Sequence, residues 1–241
     1  MTAEAFHHKS MAKKEYLIEL FGTVHKKYDL LNHLLSLYLD KGWRKSLVEQ
    51  AGSIHLRQLL DVCTGTGDLA IEFAMRYPQV KIIGSDISEG MLEIGLQKIK
   101  RAGLNGRILL QQSDLFHLPF KDGVFDAVSI GFGFRNLHDF KSGIREMVRV
   151  LKKDGLLLIL ELSLPQNPLL KRAFIFYLKH ILPKIGGLIS GSQSSYAYLS
   201  SSIIAFPKKE EVIQFLKDEG LGNINYISLS GGIASIYVGK K

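Results

Sequence analysis

The residues that could do chemistry in this chain sit where short apolar runs end. Leu59, Leu60 and Val62 form one such run around Asp61, and the turn after it carries Gly65, Thr66 and Gly67 before an apolar-periodic pattern resumes at Leu69. Glycine at 65 and 67 lets a ligand approach the backbone where a side chain would block it, and the helix that follows offers N–H groups with no intrahelical partner. Strand, glycine turn and helix make a nucleotide cradle. The stretch G-T-G-D-L-A also satisfies the dinucleotide pattern G-x-G-x-x-G/A, so by itself it predicts a nucleoside cofactor without choosing one. Asp86 ends the next apolar run, about 20 residues beyond the glycines, where a carboxylate can accept from both ribose hydroxyls. Its alternative reading is a cap for the helix that begins near Ser88. Ser113-Asp114 follows a third run, and a carboxylate there can accept from an exocyclic amino group, which suits adenine. After a fourth run comes Gly131-Phe132-Gly133-Phe134-Arg135-Asn136, ending in a guanidinium and an amide. A buried pair with a carboxylate is the structural alternative for Arg135. Cys63, with no base beside it, reads as a small core residue.

Those positions need a scaffold that brings strand ends together. Strands are predicted near Leu59–Asp61, over Val80–Ser85, Arg107–Gln111, Val124–Ile130 and Leu156–Glu161, and late in the chain over Ile224–Leu229 and Ile233–Val238. Helices are predicted over Asp68–Arg76, from Ser88 as cap to Lys100, over Phe140–Leu151 and over Lys208–Glu219. Regular β-α-β alternation with short links implies an α/β fold: a mostly parallel, Rossmann-like seven-stranded sheet with helices on both faces. In such sheets ligands bind beyond the carboxyl ends of the strands. Two segments depart from the rhythm. Lys13–Gln50 reads as a helical lead-in on the spacing of Leu17, Leu20, Phe21, Val24, Leu31, Leu34 and Leu35. Residues 165–206, with Pro168, Pro183, Gly186-Gly187 and a serine-rich run from Ser190 to Ser195, read as a helical insertion or lid. The whole, 1–241, is predicted to be a single domain, with 1–52 as its N-terminal extension.

Composition narrows the partners. A hydrophobic content of 46% excludes global disorder, and a single cysteine excludes an internal disulfide and fits a reducing cytoplasm. No run approaches the roughly 18 to 20 apolar residues of a spanning helix, and Met1–Lys14 lacks the apolar core of a signal peptide. His7 and His8 read as a solvated tail, and no metal site is predicted. The net charge of +8 points to an anionic partner, nucleic acid or a lipid surface. Much of the excess lies between Leu162 and Lys209, which holds no Asp or Glu. Within it Leu170, Phe174, Leu178, Ile181, Leu182 and Ile185 recur at helical spacing among Lys171, Lys179 and Lys184, the pattern of an interfacial basic helix. A lid helix packed on its own sheet or on a second copy is the competing reading.

Taken together, these motifs resemble the S-adenosylmethionine-dependent methyltransferases, and among them the quinone C-methyltransferases of menaquinone and ubiquinone biosynthesis. Tyr28-Asp-Leu-Leu-Asn32 with Ser36 and Trp43 is similar to that family's N-terminal signature. Arg149-Val-Leu-Lys152, through Gly155 to Glu161-Leu-Ser163, is similar to its second, and Gly133-Phe-Arg-Asn136 to its central motif. The chain departs from the pattern in three places: Asp40 stands where the first signature has His, Lys153-Asp154 replaces Pro-Gly, and Cys63 occupies a place where many methyltransferases have Gly.

The resemblance implies S-adenosyl-L-methionine as cofactor, held by Thr66, Asp86 and the Ser113-Asp114 pair, with Asp61 and the glycines 65 and 67 beside it. It implies a polyprenyl quinol as substrate, facing Tyr28, Arg135 and Asn136. Demethylmenaquinol is the favoured substrate and a methoxy-polyprenyl-benzoquinol the alternative. Peripheral contact with the inner face of the membrane follows from a lipid substrate; a homodimer stays open, and no nucleic-acid partner is expected. The competing classes are an RNA methyltransferase, which lacks its usual motifs here, a nicotinamide dehydrogenase, and a non-catalytic cofactor-binding subunit.

Overall fold

The central strands of this chain are apolar on both sides of their pleat, so the sheet they form must be covered twice. The structure is a computed structural model that describes residue 33, residues 36–184 and residues 193–241. The helices predicted between Lys13 and Leu35 (His33 apart), the His7-His8 tail, Tyr28 and Asn32, Gly186-Gly187 and Ile185 lie outside the described residues. Seven strands, Gln58–Val62 (β1), Lys81–Asp86 (β2), Ile108–Gln112 (β3), Phe125–Gly131 (β4), Leu151–Leu162 (β5), Gly222–Leu229 (β6) and Ala234–Lys240 (β7), make one sheet. Their order is β3-β2-β1-β4-β5-β7-β6. The first five pair in parallel, and β7 runs antiparallel between β5 and β6.

The helices are Leu39–Glu49 (α1), Asp68–Arg76 (α2), Glu89–Arg101 (α3), Phe140–Val150 (α4), Pro168–Phe176 (α5), Gln193–Ile204 (α6) and Lys209–Asp218 (α7). Alternate strand residues go to opposite cores. Leu59, Leu158, Leu160 and Ile236 pack with Trp43, Leu47, Phe73 and Ile99 from α1, α2 and α3. Leu60, Leu157, Ile159 and Tyr237 pack with Ile144, Met147, Val212 and Leu216 from α4 and α7. Burial of the central strands on both faces favours the strand ends as the place where most polar side chains gather.

Three sequence-based expectations are corrected. Asp61 does not follow β1 but lies within it, one residue before its end. Ser88 occupies the N-cap of α3, yet its side chain makes no capping bond; its own N–H is held by Asp86 Oδ1 at 2.9 Å, which braces the turn into the helix. And β5 starts at Leu151, not Leu156: Leu151 pairs with Phe125 before a register shift, so the polar stretch Lys152-Lys153-Asp154-Gly155 is an irregular part of the strand.

The signature around Arg149 is a scaffold. Its guanidinium donates to Glu146 and Asp122 and to the carbonyls of Phe120 and Leu118, while Glu146 Oε1 also accepts the Leu118 N–H at 2.8 Å. One side chain therefore ties the loop after the Leu115–His117 turn to α4. Between β5 and α7 the chain is helical in α5, in a π-helical turn at Tyr177–Ile181 and in α6. Leu178, Leu182, Tyr196 and Ile203 give this segment a small core of its own.

Candidate functional site

The order β3-β2-β1-β4-β5 reverses direction between β1 and β4, and at that switch point the two crossovers leave on opposite faces and open a crevice. A cleft of about 490 Å³, solvent at its mouth included, lies there. The turn after β1 forms one wall and the Gly131-Phe132 end of β4 the other, with Asp61 and Leu69 beneath and Arg44 and Asp68 beside them.

Asp61 is 1% exposed. Its Oδ2 accepts from Thr64 Oγ1 at 2.6 Å and its Oδ1 from Ser129 Oγ at 2.7 Å, so it joins β1, the glycine turn and β4. Burial pushes its carboxyl up to about 6; the two hydroxyls oppose that shift and the nearby Asp86 adds to it. Asp86 secures the turn from the other side: Oδ2 accepts the Gly65 N–H at 2.8 Å and Oδ1 the Ser88 N–H. Burial raises its carboxyl too, against the backbone N–H groups of Ser88, Gly65 and Ile87. With about four acceptor positions on the carboxylate and three backbone N–H groups upon it, capacity for a further hydroxyl donor remains. The carboxylate braces the turn into α3 and can still accept from a ligand.

The remaining predicted cofactor residues occupy the same edge. Gly65 and Gly67 adopt φ of +56° and +81°, and a Cβ on Gly65 would project into open space within the cleft. Thr66 lines the cleft, but its Oγ1 accepts from Lys98 Nζ at 3.0 Å, and Lys98 also pairs with Asp68. Asp114 Oδ1 accepts the Phe116 N–H at 3.0 Å, at the N-cap of a short 3₁₀ turn. Ser113 Oγ is buried with no hydrogen-bond partner among the described residues. An orphaned hydroxyl and a glycine cradle that side chains would fill fit a nucleoside cofactor at the ends of β1, β2 and β3.

Across the crevice, the structural alternative for Arg135 is present. Its Nη1 donates to Glu161 Oε1 at 2.7 Å and to the Phe132 carbonyl, and its backbone N–H donates to Glu161 Oε2 at 2.9 Å. Both side chains are buried. Asn136 turns toward α6, where Tyr198 donates to its Oδ1 at 3.2 Å. The structure thus brings Arg135 and Asn136 together and adds Glu161 and Tyr198 as their partners. Tyr198 and the cleft-lining Arg44 carried no signal in the sequence, since neither belongs to a strand-end motif. In the sequence Glu161 stands only at the end of a predicted strand and within a signature, with no partner assigned to it.

Cys63 adopts φ +52°, a left-handed backbone that disfavours any Cβ, and so does Asp154 at +65°. Asp154 stands at the glycine of the family's second signature, and Cys63 where many methyltransferases have glycine. Burial holds the Cys63 thiol well above its usual range, with the carboxylates of Asp86, Asp61, Asp114 and Glu161 adding to the rise.

A model of the ubiE/COQ5 methyltransferase family matches residues 9–241. The chain is 44% identical over 230 residues to the ubiquinone/menaquinone biosynthesis C-methyltransferase UbiE of Citrifermentans bemidjiense, covering 95% of this chain and 97% of that protein. It is 42% identical over 229 residues to the demethylmenaquinone methyltransferase of Deinococcus radiodurans, covering 95% and 94%. Among solved structures, a SAM-dependent methyltransferase from Aquifex aeolicus aligns with a TM-score of 0.59 at 18% identity over 82% of this chain and 88% of that one. The [4+2]-cyclase SpnF aligns at 0.61 and 18% identity, covering 82% and 80%, so the shared fold does not by itself fix the reaction.

Gly133 and Cys63 form a coupled pair that can be measured. A Cβ on Gly133 would lie 2.6 Å from Cys63 Cβ and 3.4 Å from its Sγ. Gly133→Ala is expected to destabilise the protein by about 2 kcal/mol, and Cys63→Gly, which removes the left-handed Cβ, to stabilise it by about 1 kcal/mol. In the double variant most of the Gly133→Ala penalty is lost, giving a coupling of about 1–2 kcal/mol in a denaturation cycle. Strict additivity would contradict the contact.

Proposed function

The chain belongs to the ubiE/COQ5 methyltransferase family, and we propose that it transfers a methyl group from S-adenosyl-L-methionine to a ring carbon of demethylmenaquinol. The observation that carries this reading is the near full-length match to proteins named demethylmenaquinone methyltransferase, at 38–42% identity. Relatives named for both ubiquinone and menaquinone biosynthesis support a second reading, a methoxy-polyprenyl-benzoquinol substrate.

When bound, S-adenosyl-L-methionine supplies an electrophilic methyl group at its sulfonium. In the proposed arrangement Asp86 accepts from a ribose hydroxyl with the acceptor capacity left by its backbone N–H partners. Ser113 and Asp114 meet the base, and Gly65, Thr66 and Gly67 leave the backbone open to the ligand, with Asp61 at the floor. The substrate carbon becomes nucleophilic when the neighbouring hydroxyl loses its proton. Methyl transfer to that carbon would leave a ring proton to be removed to restore aromaticity. Arg135 stays charged at any working pH and so is no base. Its role is to stabilise the developing quinolate from a position fixed by Glu161. Asn136, held by Tyr198, orients the ring together with Tyr28, and water or a side chain accepts the protons. Alignment of carbon and methyl supplies the orientation gain.

Quinone profiling tests the substrate. Cells lacking this protein are expected to accumulate demethylmenaquinone and to regain menaquinone on complementation. Accumulation of the unmethylated benzoquinone would favour the second reading, and an unchanged quinone pool would contradict both.

Because the substrate is a bilayer lipid, the proposal includes peripheral binding at the cytoplasmic face of the membrane. No helix among the described residues is long and apolar enough to cross a membrane. The apolar face predicted for residues 169–185 is divided. Leu178 and Leu182 are buried in the helical segment's own core with Phe174 against it, as the lid reading holds, whereas Leu170 and Ile181 of the same face are exposed; off that face, Leu169 is 79% and Phe176 58% exposed. Lys171, Arg172 and Lys179 are exposed near them, so apolar and basic groups share a surface suited to anionic lipid. Flotation with anionic vesicles at low salt is expected to carry the protein upward, and Leu169→Glu with Phe176→Glu to abolish it. Failure of the unaltered protein to float would contradict membrane binding. A dimer that dissociates with the same pair of substitutions would assign the face to a second copy.

A further inference from the structure

Arg44 enters the cleft from α1, outside every strand-end motif. It lines the same space as Asp61, Gly65, Thr66 and Asp68, and its side chain is largely buried. One nitrogen, Nη2, makes both of its hydrogen bonds among the described residues: to Asp40 Oδ2 at 2.5 Å and to Asp68 Oδ2 at 3.0 Å. That leaves Nη1 and Nε with donors in the fork geometry that matches a carboxylate.

The guanidinium is held rather than merely nearby. Asp40 is buried; Ser36 Oγ donates to its Oδ1 at 2.7 Å, and His33 Nδ1 lies 2.6 Å from its Oδ2. Burial alone would raise the Asp40 carboxyl, yet Ser36, Arg44 and His33 together bring it below the usual range, so it stays ionised and anchors Arg44. The other anchor, Asp68, has a second cation in Lys98. On the cleft wall Arg44 acts electrostatically on Asp61, so one positive and one negative group face the same small volume. This is the complement of a zwitterion.

We propose that Arg44 binds the α-carboxylate of the amino-acid end of the cofactor, with Asp61 facing its ammonium group and Asp40 fixing the guanidinium. The inference rests on the cofactor reading above. It also gives a task to Asp40, the residue at which this chain departs from the first family signature.

The test compares binding of S-adenosyl-L-methionine with that of decarboxylated S-adenosylmethionine, which lacks only the carboxylate, by calorimetry on the full chain. Arg44→Gln leaves Asp40 buried without its cation, so Asp40→Asn/Arg44→Gln serves as the variant that keeps the fold, checked by its thermal transition. The unaltered protein is expected to prefer the carboxylated ligand by about 10-fold or more. In both variants that preference falls toward unity, while affinity for the decarboxylated ligand changes by less than about threefold, since it never used the guanidinium. Retention of the preference in the variants, or equal loss of affinity for both ligands, would overturn the assignment. An unaltered protein that bound neither compound would instead overturn the cofactor reading.

Discussion

The site depends on a carboxylate kept inside the sheet. Asp61 sits in β1 among apolar neighbours, with one oxygen on Thr64 of the glycine turn and the other on Ser129 of β4. A buried carboxylate is tolerated when its oxygens are satisfied, and satisfying this one fixes the turn against the neighbouring strand at the switch point. Asp86 repeats the device from β2 by holding the Gly65 and Ser88 N–H groups. The glycine turn is therefore a loop with both walls tied to strands, and its shape is set before any ligand arrives.

A second buried charge organises the opposite wall. Glu161 of β5 accepts from the backbone and the guanidinium of Arg135 and so fixes the Phe134–Asn136 turn at the end of β4. A buried pair of this kind adds little net stability but is costly to break from one side, which suits a position where geometry matters more than energy. In the proposed mechanism the ion pair is the mount for a charge that must not move. Removing Glu161 would leave Arg135 a buried charge without its carboxylate.

The strands and most helices were legible because they rest on unbroken apolar runs and helical spacing, signals that survive without tertiary knowledge. Strand-end polar residues were legible for the same reason, since the ends of the runs fix where they fall. Three things were hidden. The true start of β5 is masked by Lys152-Lys153-Asp154-Gly155, which reads as a turn. The N-cap of α3 is Ser88, but its hydroxyl makes no capping bond, and the carboxylate two residues ahead holds only its backbone N–H. In the segment 169–185 periodicity shows an apolar face but not what covers it, and the π-helical turn at Tyr177–Ile181 rotates the later residues relative to the earlier ones by about one position. Leu178 and Leu182 face inward with Phe174 at the spacing the sequence shows, while Phe176, two residues off that face, stays outside. Arg44 and Tyr198 were beyond reach because their relevance comes only from what the fold sets beside them. Cys63 and Asp154 are a different case: the comparison with the resembled methyltransferases marked them as glycine positions, and their left-handed backbones explain why glycine is used there.

The central claim is that this cleft brings a methyl donor at the ends of β1 and β2 to a quinol ring held near Arg135. Purified protein incubated with methyl-labelled S-adenosyl-L-methionine and chemically reduced demethylmenaquinone tests it most directly. Label is expected on a ring carbon of menaquinone, at a rate reduced by about two orders of magnitude in Arg135→Lys, whose point charge cannot reproduce the fork. Cofactor binding without any transfer to the quinol, or transfer that Arg135→Lys leaves unchanged, would contradict it.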